Sequence, residues 1–270
     1  MTVEKPSRRM TRFEPAEYER VTYPNYGGLI ISQLELSDIL ELVETSSSSM
    51  ILEIGIGTGR ILLPLSEKSS VLIGVDADQR MVKSVKERIR TTREFPSRDV
   101  HLLVAEGEHL PFRPGLFDAV VCIRVLRYFE RPWKAVAQMS QVLRPGGRLV
   151  LEFANLLRPH SLSQLPLYFQ KGEFYPRLFQ KRQVERWVSD LGMKVETVRS
   201  WHKIPPAVLM ALNSPHAVRA VLQLEIVLKK ISPVELMSRS LIMAAVKLRK
   251  IPEKYSTKLL AEHSLQAARS

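Results

Sequence analysis

A single cysteine, Cys122, stands in 270 residues, so no intrachain disulfide can form and the cysteine pattern asks for no oxidising compartment. Long apolar runs are missing as well. The nearest one, "IPPAVLMALNSPHAVRAVLQLEIVLKK" (204–230), is interrupted by prolines, Arg219 and Glu225. It falls short of the roughly 18 to 20 uncharged residues that a membrane-spanning helix requires. The opening "MTVEKPSRRMTRFEP" lacks the apolar stretch of a secretory signal, and a cytoplasmic location is expected. There is no internal repeat, and no metal site is expected.

What is present is ordinary in bulk and uneven in charge. With 45% apolar and 25% charged residues the composition is that of a globular chain able to bury a full core. The net charge is +12, but residues 171–270 hold 18 Lys and Arg against 8 Asp and Glu, leaving the first 170 residues nearly neutral. A basic C-terminal part suits an anionic neighbour such as nucleic acid, acidic lipid or an acidic substrate, or is simply a well-solvated surface.

Short β-branched runs alternate with amphipathic helical patterns, which predicts a parallel sheet covered by helices on both faces. Strands are expected at 50–54, 71–75, 100–104, 118–123 and 148–154, as near-continuous apolar runs of the kind buried on both faces. A helix is expected over 131–143, where Trp133, Val136, Ala137, Ser140 and Leu143 keep helical spacing and "RPGG" (144–147) stops the element. Val184, Trp187, Val188 and Leu191 form another helical face, closed by Gly192 and followed by a strand-like "MKVETV" (193–198). Two stretches break the rhythm, 155–179 and about 204–238, and both are candidate substrate-facing insertions. "SLIMAAVKL" (240–248) reads as a last strand. The expected organisation is an N-terminal helical cap (1–45), a core (46–200), a helical insertion (201–238), the last core strand (239–248) and a basic tail (249–270).

"ILEIGIGTGRILLPL" (51–65) places Gly55, Gly57 and Gly59 between a strand and a helix. Glycines there let the backbone turn sharply and approach a ligand that a Cβ would strike, and the helix that follows offers unpaired N–H groups. The spacing is G-x-G-x-G with Arg60 where a dinucleotide fold has its third glycine, and no Walker Lys-Ser/Thr follows. Asp76, at the end of the second strand, is suited to accept hydrogen bonds from ribose hydroxyls. The plainer alternative is a tight turn, with Asp76 capping helix 78–92.

Two further segments decide the cofactor class: "VAEGEHLPFRPGLFDAVVCI" after the third strand and "VLRPGGRLVL" before the fifth. With these, residues 48–155 closely resemble the class I S-adenosylmethionine-dependent methyltransferases, in the subgroup that acts mostly on small molecules and includes quinone-biosynthesis enzymes; 176–200 resemble it loosely. The resemblance implies S-adenosylmethionine as cofactor and a doubly wound, Rossmann-like α/β fold, with a seven-stranded, mostly parallel sheet whose last strand is antiparallel. It implies that Glu53, Gly55, Gly57 and Gly59 form the first motif, with the glycine backbone against the methionine part of the cofactor. Asp76 would hold the ribose, Ala77 would border the adenine, and Glu106 and Gly107 would meet the adenine edge, with Glu106 where Asp is more usual. Ile123 and the less typical Arg124 match the wall beneath the sulfonium.

Methyl transfer is an in-line displacement that needs alignment and exclusion of water more than a base. If a base acts, His109, Tyr128, His160 and His202 are the candidates by type, though a histidine beside Leu110 and Pro111 is commonly a packed or capping residue. Cys122 reads as core. Val221, Leu224, Val227, Leu228 and Ile231 make an apolar stripe that would pack on the domain, roof a greasy pocket or, with Arg219, Lys229 and Lys230, rest on an anionic membrane surface. The expected activity is therefore methylation of an O, N or C atom of a small, lipid- or quinone-like acceptor. The rivals are an RNA- or other nucleic-acid-directed methyltransferase using the basic C-terminal part, and a non-catalytic cofactor-binding module. "CIRVLRYF" after the fourth strand carries neither the Asn/Asp-Pro-Pro-aromatic motif of base amino-methyltransferases nor a Pro-Cys nucleophile, which disfavours nucleic acid.

Overall fold

The computed structural model describes residues 14–15, 17–18, 26–91, 99–157, 177–201, 214–229 and 238–249. His160, His202, most of 155–179, 202–213, Ile231 and the basic tail lie outside the described residues. In chain order the elements are α1 (Tyr26–Val43), β1 (Met50–Ile54), α2 (Leu62–Leu65), β2 (Val71–Asp76), α3 (Gln79–Thr91), β3 (Asp99–Val104), β4 (Phe117–Cys122), α4 (Pro132–Val142), β5 (Leu143–Ala154), α5 (Lys181–Asp190), β6 (Met193–Trp201), α6 (Pro215–Lys229) and β7 (Ser240–Lys247). Among the described residues no helix is long and apolar enough to cross a membrane.

The seven strands lie in the order β3-β2-β1-β4-β5-β7-β6. The pairs from β3 through β5 are parallel, and β7 inserts antiparallel between β5 and β6. This is the sheet the sequence implied, last strand included. Each strand follows from its composition: Ile51, Leu52 and Ile54 of β1 are almost wholly buried, as are Val120 and Val121 of β4, because helices cover both faces. On one face Ile39 and Leu42 of α1, Leu62 and Leu65 of α2 and Val82 and Val85 of α3 pack against Ile51, Val121 and Val150. On the other, Val136 and Met139 of α4 and Val184 and Val188 of α5 pack against Leu52, Val120 and Leu151. β3 is one of the two edge strands, and Leu103 and Val104 are exposed on it.

One boundary differs from expectation. Helix α4 starts at Pro132, whose fixed φ and missing N–H suit a first turn, and ends at Val142 before "RPGG". That tetrapeptide, however, belongs to β5, which begins at Leu143 opposite Phe117 and absorbs the extra residues in a register shift between Phe117 and Ala119. In α6, Leu224 and Val227 of the apolar stripe are exposed and Val221 is half-buried.

Strand order reverses between β1 and its two neighbours, β2 and β4. The chain leaving β1 and the chain leaving β4 diverge at that switch point, and the crevice between them at the carboxyl ends of the strands is where open α/β sheets hold ligands.

Candidate cofactor site

Gly55, Gly57 and Gly59 all hold left-handed φ values, +76°, +52° and +83°. Their surroundings separate them. A Cβ on Gly55 would lie 2.2 Å from Val125 Cγ2, and one on Gly59 would lie 3.2 Å from both Val85 methyls, so these two are glycines because protein packs against them. A Cβ on Gly57 would meet nothing within 4 Å. Only Gly57 turns its bare face to open space, where a ligand can approach the backbone.

Asp76 staples this turn to the end of β2. Its Oδ2 accepts from the Gly57 N–H at 2.9 Å and its Oδ1 from the Asp78 N–H at 2.9 Å. The cap of α3 is Asp78 instead, whose Oδ1 accepts from the Arg80 N–H at 2.9 Å. Asp76 therefore does not cap the helix, and burial pushes its carboxyl above the usual carboxylate range. The Ala77 N–H also donates to it, and of the carboxylate's four acceptor sites one is left for a ribose hydroxyl.

A cavity of about 330 Å³ opens beside the turn, lined by Gly55, Asp76, Ala77, Glu106, Gly107 and Tyr128 among others. Five of the ten residues matched to the cofactor thus share one wall system. Gly107 is there because Phe129 fills the space a side chain would need, its ring atoms 2.6 and 2.7 Å from a built Cβ. Past β4, Val125, Tyr128 and Phe129 line the cavity. Ile123 is buried in the core layer beneath α1, and the Arg124 guanidinium turns toward that helix.

Glu53, two residues before the turn, is buried, and its Oε2 has no hydrogen-bond partner. Desolvation raises its carboxyl well above the ordinary value, against the opposing pull of Arg60. A buried acceptor without a donor at the mouth of a strand is costly unless something supplies one.

The base candidates separate as well. His109 is an exposed rim residue of the cavity; its Nε2 meets the Lys134 ammonium and its Nδ1 lies 3.8 Å from Glu106 Oε2. Tyr128 lines the cavity, and burial raises its phenol, so it carries its proton at neutral pH and is a donor there.

Several neighbours went unnoticed in the sequence. Glu152, buried in β5, accepts from the Arg124 N–H at 2.9 Å and from Arg127 Nη2 at 3.1 Å, fixing the turn after β4. A lone acid in the apolar run "RLVLEFA" was its signal. Glu108 accepts from the Glu130 and Arg131 N–H groups at 2.7 and 3.2 Å, closing the rim below Phe129.

Residues 52–151 match the model of a methyltransferase domain. Those residues form a methyltransferase domain. Over 117 residues the chain is 32% identical to the ubiquinone/menaquinone biosynthesis C-methyltransferase UbiE of Wigglesworthia glossinidia brevipalpis, a match covering 42% of this chain and 46% of the relative. It is 29% identical to the demethylmenaquinone methyltransferase of Renibacterium salmoninarum over 57% of this chain and 70% of that one. Among solved structures, magnesium protoporphyrin IX methyltransferase of Synechocystis with bound SAH superposes with a TM-score of 0.59 at 14% identity, covering 87% of this chain and 96% of the other, a likeness of fold. The chain spans about half to two thirds of the length of the first curated relatives it matches.

The cofactor of the methyltransferase domain is S-adenosylmethionine, and the residues present fit it. The partnerless Glu53 oxygen suits an ammonium group, the bare Gly57 face suits close approach of the methionine part, and the Asp76 carboxylate on the cavity wall suits a ribose hydroxyl.

Proposed function

We propose that the methyltransferase acts on a small, apolar, quinone- or lipid-like acceptor. The observation that carries this is the strand-end cavity. Its lining is mixed: Asp76 after β2, Glu106, Glu108 and His109 after β3, and Glu130 and Arg131 further on are polar, while Val125, Tyr128 and Phe129 give one apolar and aromatic stretch after β4 against which such an acceptor would lie. The names of two relatives place them in ubiquinone and menaquinone biosynthesis, which supports an apolar acceptor of that kind.

When bound, the cofactor supplies a methyl group on a sulfonium; the acceptor's lone pair forms the new bond to carbon while the breaking carbon–sulfur pair stays on sulfur. The chain's own residues hold and align. Gly57 and Asp76 set the turn, Glu53 would take the ammonium, and Tyr128, protonated at neutral pH, would donate to an acceptor oxygen and orient it. His109 stands at the rim of the cavity, engaged with Lys134, and a phenolate or an amine with a free lone pair needs no base.

Leu224 and Val227, exposed on α6, favour a second element of the same proposal: with Arg219 beside them, α6 rests on an anionic lipid surface from which an apolar acceptor is drawn. Methylation of nucleic acid through the basic C-terminal part is the alternative outcome.

The test is incubation with methyl-labelled S-adenosylmethionine and a cell extract, followed by separation into organic-soluble, small aqueous, nucleic-acid and protein fractions. Label in the organic fraction is expected. Label in nucleic acid would overturn the acceptor class, and no cofactor turnover in any fraction would leave only a binding module.

A further inference from the structure

The inner face of α1 changes character along its length. Gly28, Ser32, Glu35, Ile39, Leu42 and Val43 form its buried stripe, at the spacing of one helical face. Its C-terminal half is apolar and packs on the core, whereas its N-terminal half is small and polar and reaches the strand ends.

Glu35 is the centre of that polar half. It is fully buried, and its carboxylate joins two arginines from different parts of the site. Arg60 Nη2 lies 2.9 Å from Glu35 Oε2, with Arg60 Nη1 donating to the Ser32 carbonyl and hydroxyl at 3.2 Å. Arg124 Nη2 lies 3.0 Å from the same oxygen, and its Nε reaches Oε1 at 3.3 Å. Arg60 follows Gly59 directly. Arg124 comes two residues after the end of β4 and holds φ +63°, a conformation a side-chain-bearing residue keeps only when its surroundings impose it.

Plain docking of α1 did not require this. A buried ion pair is a weak source of stability, and apolar residues of similar size often serve as well or better; its best-attested use is to specify one arrangement. Here the arrangement specified is the turn after β1 and the turn after β4 on one carboxylate carried by a third element.

We propose that Glu35 is a positioning residue that couples the docking of α1 to cofactor binding, by tying Arg60 at the glycine turn to Arg124 at the turn after β4. This rests on the strand-end cavity being the cofactor site. α1 cannot lift away without leaving both arginines short of their shared carboxylate, and the turns cannot shift independently while it stays. Coupling of this kind is reciprocal: what α1 does for the cofactor, the cofactor does for α1.

The experiment combines calorimetric titration of the full-length protein with S-adenosylhomocysteine and hydrogen exchange of residues 26–43 with and without it, on wild type, Glu35→Gln and Ser32→Ala. In the wild type the ligand slows exchange in α1. In Glu35→Gln that slowing is largely lost and Kd rises about tenfold, within the usual range of coupling between sites. Ser32→Ala, which keeps the charge pair, retains both. If Glu35→Gln binds with wild-type affinity and the same protection, or if Ser32→Ala loses as much, the assignment to Glu35 fails. Should Glu35→Gln not fold by thermal melting, Glu35→Asp, with the charge kept on a stem one methylene shorter, is measured instead; intermediate coupling supports the proposal and full coupling overturns it. A wild type that binds no S-adenosylhomocysteine overturns the cofactor site itself, and this proposal with it.

Discussion

Gly55, Gly57 and Gly59 look interchangeable in the sequence, yet one faces a valine, one opens to space and one faces a helix. Gly57→Val should therefore abolish S-adenosylhomocysteine binding in calorimetry while the protein still melts cooperatively. Its φ of +52° costs a β-branched residue on the order of 1–3 kcal/mol, within what a typical domain can lose. Asp76 accepts internal hydrogen bonds from the Gly57, Ala77 and Asp78 N–H groups and carries the ribose assignment, so Asp76→Ala should weaken cofactor binding by about 1.5–3 kcal/mol in the same titration. Glu53 has a pH signature. Its folded carboxyl is raised, so its contribution is fully present below the ordinary carboxylate range and is lost as pH rises through the raised value. Glu53→Gln should thus gain melting temperature relative to the wild type between acidic and mildly alkaline pH; a constant difference would mean that Glu53 is not buried as an acid. The glycine pattern, Asp76 and Glu53 were legible because motif spacing along one strand and turn is a local property. Which glycine opens to space was not, since that depends on Val125 and Val85 arriving from elsewhere in the chain.

At the scale of elements, the strands were read to within a residue or so wherever apolar runs were continuous, and "RPGG" was misplaced because a bulged strand start and a turn share the same residues. α1 is the less legible element. Its acids at Glu35, Asp38 and Glu41 look like one solvated face, but Glu35 is buried against Arg60 and Arg124 while Asp38 and Glu41 both meet Arg199 of β6, at 3.1 and 2.6 Å. Helical spacing alone could not say which acid points inward, because the partners lie in three other elements. Of the readings the apolar stripe of α6 left open, plain packing on the domain does not account for Leu224 and Val227, which are exposed. Leu224→Asp and Val227→Asp together should shift stability by no more than about 0.5 kcal/mol per site, as exposed substitutions do. They should reduce cosedimentation with vesicles of anionic lipid, and unchanged sedimentation would remove α6 from any membrane role.

For the whole molecule the open question is what the +12 net charge meets. If the acceptor were nucleic acid, phosphate contacts would make methylation fall steeply as salt is raised; a small apolar acceptor predicts a nearly flat response. Measuring label transfer across a salt series in the same extract decides between them. The sequence by itself determined the alternation of strands and helices, the class of cofactor and the residues of the first turn, because these follow from hydrophobic period and from motifs contained within single β-turn-α units. The tertiary structure decided how the units close on one another. It set β7 between β5 and β6, brought Glu152 under the turn after β4, and placed Glu35 between two arginines that are 64 residues apart, Arg60 and Arg124. Such contacts join segments distant in the chain, and the burial that gives each its meaning exists only once the sheet and both helical layers have assembled.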